Sequence, residues 1–367
     1  MNKNRIKLGF NGNIFKSKNI RGITRHSLNL IKELHLINQQ LDIHIFCSDP
    51  IDEFYKNELP YVNFHIIPFR PKILWNLWVL PKLLMLNKIS IFHSTNNIGV
   101  PLCPSVIKVC TIHDEITHHH RNTFSIKSFW DYINYQIDYF LILKTQKIIT
   151  VSEYAKKSIS KTLKIKPEKI ETIYNGTNLT PSTQISLRED FLLYVGGLEQ
   201  RKNIYFMLKE IESLSQEISI VLVSSLSSAT PEVKDLLNNL KYTKVIIKEN
   251  ISDSELTLLY EKAKIVIIPS LDEGFGLPVA ESMQLRTPLA ISDIEIFKEV
   301  SGNHSHFFSP TNTGALKTLL REILTDKNEL SKHVENAYHF SMKYSWTEMA
   351  RNTNNLYMQL MRDKVEK

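Results

Sequence analysis

The sequence predicts an α/β protein built from two doubly wound parallel sheets, each covered by helices, facing one another across a cleft. Three observations carry that expectation. Short β-branched runs alternate with longer stretches of helical period. The alternation pauses once, in the polar, proline-containing stretch 177–189, and then restarts. The 367 residues, 43% apolar and 23% charged, suffice for two domains with unstapled cores and are too apolar for disorder.

The elements follow in order. The chain begins with a short basic stretch and goes at once into a strand at 6–10. It shows no 7–15-residue apolar region and no small-residue cleavage site, so no signal peptide is expected there. A helix is expected at 22–38, with Ile23, Leu28, Leu30, Ile31 and Leu34 as its apolar stripe. Strands at 43–47, 89–93, 106–112 and 147–151 and helices at 126–144 and 153–163 complete the first half. Residues 177–189 read as a linker. Strands at 191–195, 218–223, 244–247, 265–269 and 288–291 then alternate with helices at 204–214, 231–240, 252–262 and 278–285, and the tail from Thr313 is mostly helical. The expected domains are 1–180 and 181–345, with a last helix at 346–367 packing back on the first domain. No internal repeat or low-complexity tract is evident.

The charge is unevenly spread. Residues 1–180 hold 24 Lys and Arg against 13 Asp and Glu, a balance of +11, whereas the remainder is at −4. A uniformly basic nucleic-acid coat is disfavoured, and an anionic surface or substrate facing the first half is favoured. Three cysteines, none in a CxxC pair, make no disulfide framework and argue against structural zinc. No apolar run is long enough to span a bilayer. Residues 67–88 mix Trp75, Trp78 and many leucines with Arg70, Lys72, Lys82 and Lys88, which suits either a core-facing helix or an anionic membrane surface.

Two motifs carry chemistry. In residues 269–281 an apolar strand ends at Pro269, Gly274 and Gly276 flank Phe275, and Leu277-Pro278 opens a helix. Glycines let a ligand approach the backbone, and a helix N-terminus offers unpaired N–H groups. Glu273 lies in the loop, and Glu281 is expected in the first helical turn. As acceptor-only carboxylates both suit the hydroxyls of a sugar or ribose. The bland alternative is a helix-dipole carboxylate beside a turn. In residues 194–203 a strand ends in Gly196-Gly197, Arg201-Lys202 follow, and Asn203 is expected to cap the next helix. Two cations there, against the dipole, suit a pyrophosphate; the alternative is a solvated basic pair.

Taken together, the strand–GG–RKN–helix and, about 75 residues later, EGFGLPVAE resemble the C-terminal half of retaining family-4 glycosyltransferases, whose fold, GT-B, has two Rossmann-like domains. The resemblance implies that Glu281 binds the nucleotide ribose and Glu273 the donor-sugar hydroxyls, with Arg201 and Lys202 on the diphosphate and Gly274, Phe275, Gly276 and Leu277 at the donor. The arginine that many members place after the first glycine is replaced here by Gly197. In the first half, Gly22-Ile23-Thr24-Arg25 is similar to the family's glycine loop, though one glycine of the pair is missing. Ile112-His113-Asp114 matches its H-D motif, and Val151-Ser152-Glu153, Asn175-Gly176-Thr177-Asn178 and the Tyr344-Ser345-Trp346 tail are also similar. By resemblance Gly22 lies at the donor, and His113 contacts the donor sugar or orients the acceptor; a buried structural histidine is its bland reading. His118-His119-His120 reads as a histidine-rich loop, and the resemblance implies no metal.

The implied reaction transfers a sugar from a nucleoside diphosphate sugar to an acceptor hydroxyl, without other cofactor and with the leaving phosphate helping to deprotonate the acceptor. The phosphate-loop form resembles mannosyl- and rhamnosyl-transferring members of surface-polysaccharide and O-antigen pathways. The expected donor is GDP-mannose. The expected acceptor is a polyprenyl-diphosphate-linked glycan, met on the inner face of the cell membrane by a cytoplasmic, peripheral protein. A sugar-nucleotide epimerase of the same fold, another hexosyltransferase and a non-enzymatic basic membrane-binding module stand as alternatives. A nicotinamide oxidoreductase is disfavoured, since no G-x-G-x-x-G follows the first strand.

Overall fold

A computed structural model of the chain describes residues 5–16, 22–114, 126–177, 179, 181 and 187–366, with the side chains of 126–132 and 327 left undescribed. The chain divides into two compact units. The first comprises Met1–Asn175 and Trp346–Lys367; the second is Gly176–Ser345.

The first unit holds seven strands: β1 (Ile6–Asn11), β2 (Leu41–Cys47), β3 (Asn63–Ile66), β4 (Ile91–Ser94), β5 (Ile107–Ile112), β6 (Lys147–Thr150) and β7 (Ile170–Thr172). They form one sheet in the order β3-β2-β1-β4-β5-β6-β7, and every pairing is parallel. Residues such as Leu8, Ile43, Ile91 and Val109 are almost wholly buried, as in a parallel sheet covered on both faces. The order reverses between β1 and β4, so the loops after these strands flank a switch point. The helix Gly22–Ile37 buries Leu28, Leu30, Ile31 and Leu34. Ile23, expected on that stripe, is instead 39% exposed in the helix's first turn. The C-terminal helix Trp346–Val365 packs against Gly22–Ile37, and the Tyr357 hydroxyl lies 2.6 Å from His93 Nδ1 on β4.

The second unit holds β8 (Phe191–Val195), β9 (Ile218–Val223), β10 (Thr243–Lys248), β11 (Ile265–Ile268), β12 (Leu289–Ser292) and β13 (His306–Phe308). Their order is β10-β9-β8-β11-β12-β13, again all parallel. This is the doubly wound order of a dinucleotide-binding sheet, with its switch point between β8 and β11. Both chemical motifs follow these two strands. Inside this unit the chain's entry and exit are tied together. Thr177 bridges Ser345, its N–H donates to Tyr344 O at 3.3 Å, and Gln284 Nε2 donates to Ser341 O (3.1 Å) and Tyr344 O (2.9 Å).

The sequence reading missed β3, β7 and β13. Each is only three or four residues long and lies at or next to a sheet edge, where alternation is too brief to register. Most of the expected linker, including 182–186, lies outside the described residues, as does the triple histidine at 118–120.

Candidate active site

β8 ends at Val195 and delivers the chain into Gly196-Gly197, where Tyr194 Oη donates to Gly197 O at 2.5 Å. A single 3-10 turn, Gln200–Lys202, then leads to the helix Ile204–Glu212. Asn203 stands at its N-cap in the left-handed conformation (φ 57°), but its side chain does not cap the helix. Instead Nδ2 donates to Pro310 O at 2.9 Å. The expected capping bond is therefore replaced by one that anchors the loop.

β11 delivers the second loop. The Leu271 amide donates to Arg201 O at 2.9 Å, so the two loops at the switch point are joined through their backbones. Side chains reinforce the joint. Lys202 Nζ pairs with Glu273 Oε1, and Arg201 donates to Glu273 Oε2 at 3.1 Å and lies 3.4 Å from Glu199 Oε1. Ser270 Oγ donates to Glu273 Oε1 at 2.8 Å. The Glu273 and Lys202 side chains are only 11% and 14% exposed. Burial pushes the Glu273 carboxyl up, but Lys202 and Arg201 outweigh it and hold the group below its ordinary 4.5. The arrangement is a largely buried carboxylate held by one largely buried cation and one partly exposed one, joined by charge-assisted hydrogen bonds.

Gly276 closes the loop in the left-handed region (φ 90°) and precedes the helix Leu277–Gln284, with Pro278 in its first turn. A Cβ on Gly276 would lie 2.9 Å from Phe297 Cε1, so both backbone angle and space demand glycine. Gly274 is buried and Leu277 half-buried at the helix start. The Phe275 ring is buried, edge-on to Tyr344 with centroids 5.3 Å apart. Glu281, expected in the first helical turn, is the fifth residue of the helix, in its second turn, and only 3% exposed. Tyr260 Oη donates to its Oε2 at 2.8 Å, so a simple helix-dipole role does not describe it. Sequence reasoning missed Tyr260, which looks like any apolar position of its helix Asp253–Lys262.

Gly22 and His113 belong to the first unit. Gly22 is the first residue of its helix. His113 follows β5, is half-buried, and lies with Nε2 3.0 Å from Thr95 O, in the loop after β4. Its ring meets that of His26 edge-on at 4.6 Å. Burial lowers His113 to about 4, against a weaker opposing effect of the Thr95 carbonyl. His26, 2.8 Å from Asn175 Oδ1, is lowered well below 6.5 by burial and by His113. The histidines are thus neutral imidazoles at neutral pH, able to donate from one nitrogen and accept at the other. Among the described residues no group of three or more His, Cys, Asp or Glu could hold a metal ion.

Two doubly wound parallel sheets, one with a cation–carboxylate cluster at its switch point, are the architecture of GT-B glycosyltransferases. The family model described as glycosyl transferases group 1 matches residues 177–340, and that described as glycosyltransferase family 4 matches residues 20–180. The chain belongs to this family and is a glycosyltransferase. It is 27% identical over 246 residues to the O-antigen chain mannosyltransferase RfbU of Salmonella typhimurium, covering 67% of each chain. Among solved structures it resembles the sucrose-phosphate synthase of Thermosynechococcus elongatus (17% identity, TM-score 0.75, 98% of this chain and 100% of that one). It also resembles Anabaena HepE in complex with UDP and glucose (14% identity, TM-score 0.76, 96% and 100%).

Proposed function

We propose that the chain is a retaining hexosyltransferase of O-antigen or related surface-polysaccharide synthesis. In this reading it transfers mannose from GDP-mannose to a hydroxyl of a polyprenyl-diphosphate-linked glycan at the inner face of the cell membrane. The observation that carries the reading is the Arg201–Glu273–Lys202 cluster at the β8/β11 switch point. RfbU, by its name an O-antigen mannosyltransferase, supports the choice of sugar and pathway. HepE, solved with UDP and glucose, supports a nucleotide sugar as co-substrate.

In this reading the donor diphosphate meets Arg201, Lys202 and the amides at the start of Leu277–Gln284. Glu273, released from its cations, accepts from sugar hydroxyls, and Glu281, oriented by Tyr260, accepts from the ribose. Gly22, Gly274, Phe275 and Gly276 contribute backbone. As the sugar–phosphate bond breaks, charge grows on the β-phosphate, where Lys202 and Arg201 are already fixed, so little reorganisation opposes the step. The acceptor proton passes to the leaving phosphate, and His113, uncharged, orients a hydroxyl. The domains in this reading are 1–180 for the acceptor, 181–345 for the donor and 346–367 returning to the first.

Thermal shift with a panel of nucleotide sugars, followed by transfer assays, tests the reading. GDP-mannose is expected to stabilise the protein most, and Lys202→Ala and Glu281→Ala each to lower transfer by roughly two orders of magnitude or more while leaving the fold intact. Near-normal transfer in either variant would remove the site assignment. Product formed without acceptor would favour an epimerase.

A further inference from the structure

The first unit has a second cation cluster, far in sequence from the donor motifs. Asp49 follows β2, Lys16 lies in the loop after β1, and Arg70 and Lys72 follow β3. Lys16 and Arg70 both form ion pairs with Asp49, and Lys72 Nζ lies 3.9 Å from Asp49 Oδ2. Three cations therefore share one carboxylate, leaving a net charge of +2. The Asp49 side chain is 9% exposed, whereas Lys16, Arg70 and Lys72 are 40%, 61% and 54% exposed. The carboxylate is the buried anchor, and the cations are open to solvent.

The loops that hold them are stitched together. Asn13 Oδ1 accepts from the Ser48 amide at 2.8 Å and its hydroxyl at 3.1 Å. The Asp52 amide donates to Phe15 O at 3.0 Å, and the Phe69 amide donates to Ser48 O at 3.1 Å. The cations are thus gathered on a built cradle at the carboxyl ends of β1, β2 and β3, the end of a parallel sheet where ligands bind. Their crowding is costly. Burial, Lys16 and Arg70 together hold the Lys72 ammonium below its ordinary 10.5, despite Asp49. An anion would relieve that repulsion. The plan is the one seen in the second unit, where Glu273 gathers Arg201 and Lys202.

We propose that Lys16, Arg70 and Lys72, gathered on Asp49, bind the diphosphate group of a lipid-linked acceptor. The proposal rests on the glycosyltransferase reading for the word acceptor, but not for the anion site. A net +2 matches a diphosphate better than a singly charged headgroup. From Lys72 the chain runs directly into exposed apolar residues: Leu74 is 40% exposed, Trp78 74%, Met85 59% and Leu86 68%. An anionic head joined to a hydrocarbon tail fits cations followed by exposed apolar surface.

Calorimetric titration of the full chain with inorganic pyrophosphate tests this. In a Lys202→Ala background, which disables the donor cluster, pyrophosphate is expected still to bind. Adding Arg70→Ala and Lys72→Ala is expected to weaken that binding about tenfold or more, as the loss of charge-assisted contacts implies. Arg70→Gln with Lys72→Gln is the milder pair should the alanines disturb folding. Absence of binding in Lys202→Ala, or binding indifferent to both pairs, would overturn the site. Flotation with phosphatidylglycerol–phosphatidylcholine vesicles separates the sources. Unchanged vesicle binding in the Arg70/Lys72 variants supports the acceptor diphosphate, whereas its loss assigns the cations to lipid headgroups and overturns that choice. In the otherwise wild-type chain, Arg70→Ala with Lys72→Ala is expected to leave the thermal shift with nucleotide sugars unaltered. A wild-type protein blind to every nucleotide sugar would defeat the glycosyltransfer reading while leaving the pyrophosphate result standing.

Discussion

The Glu273 carboxylate pairs with both Lys202 and Arg201, so in the proposed reading a donor diphosphate competes with it for these cations. Glu273→Gln removes that competitor's charge. It is expected to tighten binding of the free nucleoside diphosphate about tenfold and to lower sugar transfer, a divergence that calorimetry and a transfer assay read separately. Weaker diphosphate binding in this variant would contradict the competition. Tyr260→Phe is expected to remove the 2.8 Å bond to Glu281, to cost about 1–2 kcal/mol in urea unfolding, and to raise the donor KM. At this scale the sequence was half legible. The two glutamates and the basic pair stand out by their spacing, but the ion pairs between them join residues 71 and 72 apart. Such pairs are set by strand order, which no local pattern encodes. Tyr260 gave no signal because its hydroxyl partner lies on another helix.

Among the elements, the long, continuously apolar strands were read nearly to the residue: β8 at 191–195 and β9 at 218–223 coincide with their expected ranges. Buried parallel strands have no polar face to interrupt them. Short edge strands were lost, and Glu281 falls one residue further into its helix than expected, because the helix starts at Leu277, directly after Gly276. Two glycines separate the physical reasons for glycine before a helix. Gly276 and Gly314 both take a left-handed φ, 90° and 86°, but a Cβ meets Phe297 at the first and nothing within 4 Å at the second. Gly314→Ala is expected to cost about 1 kcal/mol of backbone strain, and Gly276→Ala about 2–4 kcal/mol because overpacking adds to it. Equal losses in chemical unfolding would refute the contribution of the Phe297 contact. In the segment 67–88, read as either a core-facing helix or a membrane surface, Trp75 faces the core at 1% exposed and Trp78 faces outward at 74%.

For the molecule as a whole, three histidines held below their ordinary pKa contribute a loss of stability in acid. Burial lowers His93 to about 3 and His113 to about 4, and His26 lies well below its ordinary 6.5. Each is neutral when folded and takes up a proton when unfolded below about pH 6.5, so stability is expected to fall as pH drops from there toward the folded values. His113 alone contributes on the order of 3 kcal/mol to that loss. Melting temperatures between pH 7 and 4.5 check the sign, and His93→Gln should flatten the slope. The +11 against −4 charge split was legible from composition alone, whereas the gathering of Lys16, Arg70 and Lys72 on one aspartate was not, since it needs three strands side by side. The division of the chain has a last consequence, in time. The first unit is discontinuous, closed by a helix whose Tyr357 reaches a histidine 264 residues earlier, whereas the second is one uninterrupted stretch. A ribosome therefore finishes the second unit while the first still waits for its final helix. Until then the helix Gly22–Ile37 lacks the packing partner that Trp346–Val365 supplies, and a protein cut short at Ser345 is expected to leave the later-made unit folded and that face of the earlier-made unit uncovered.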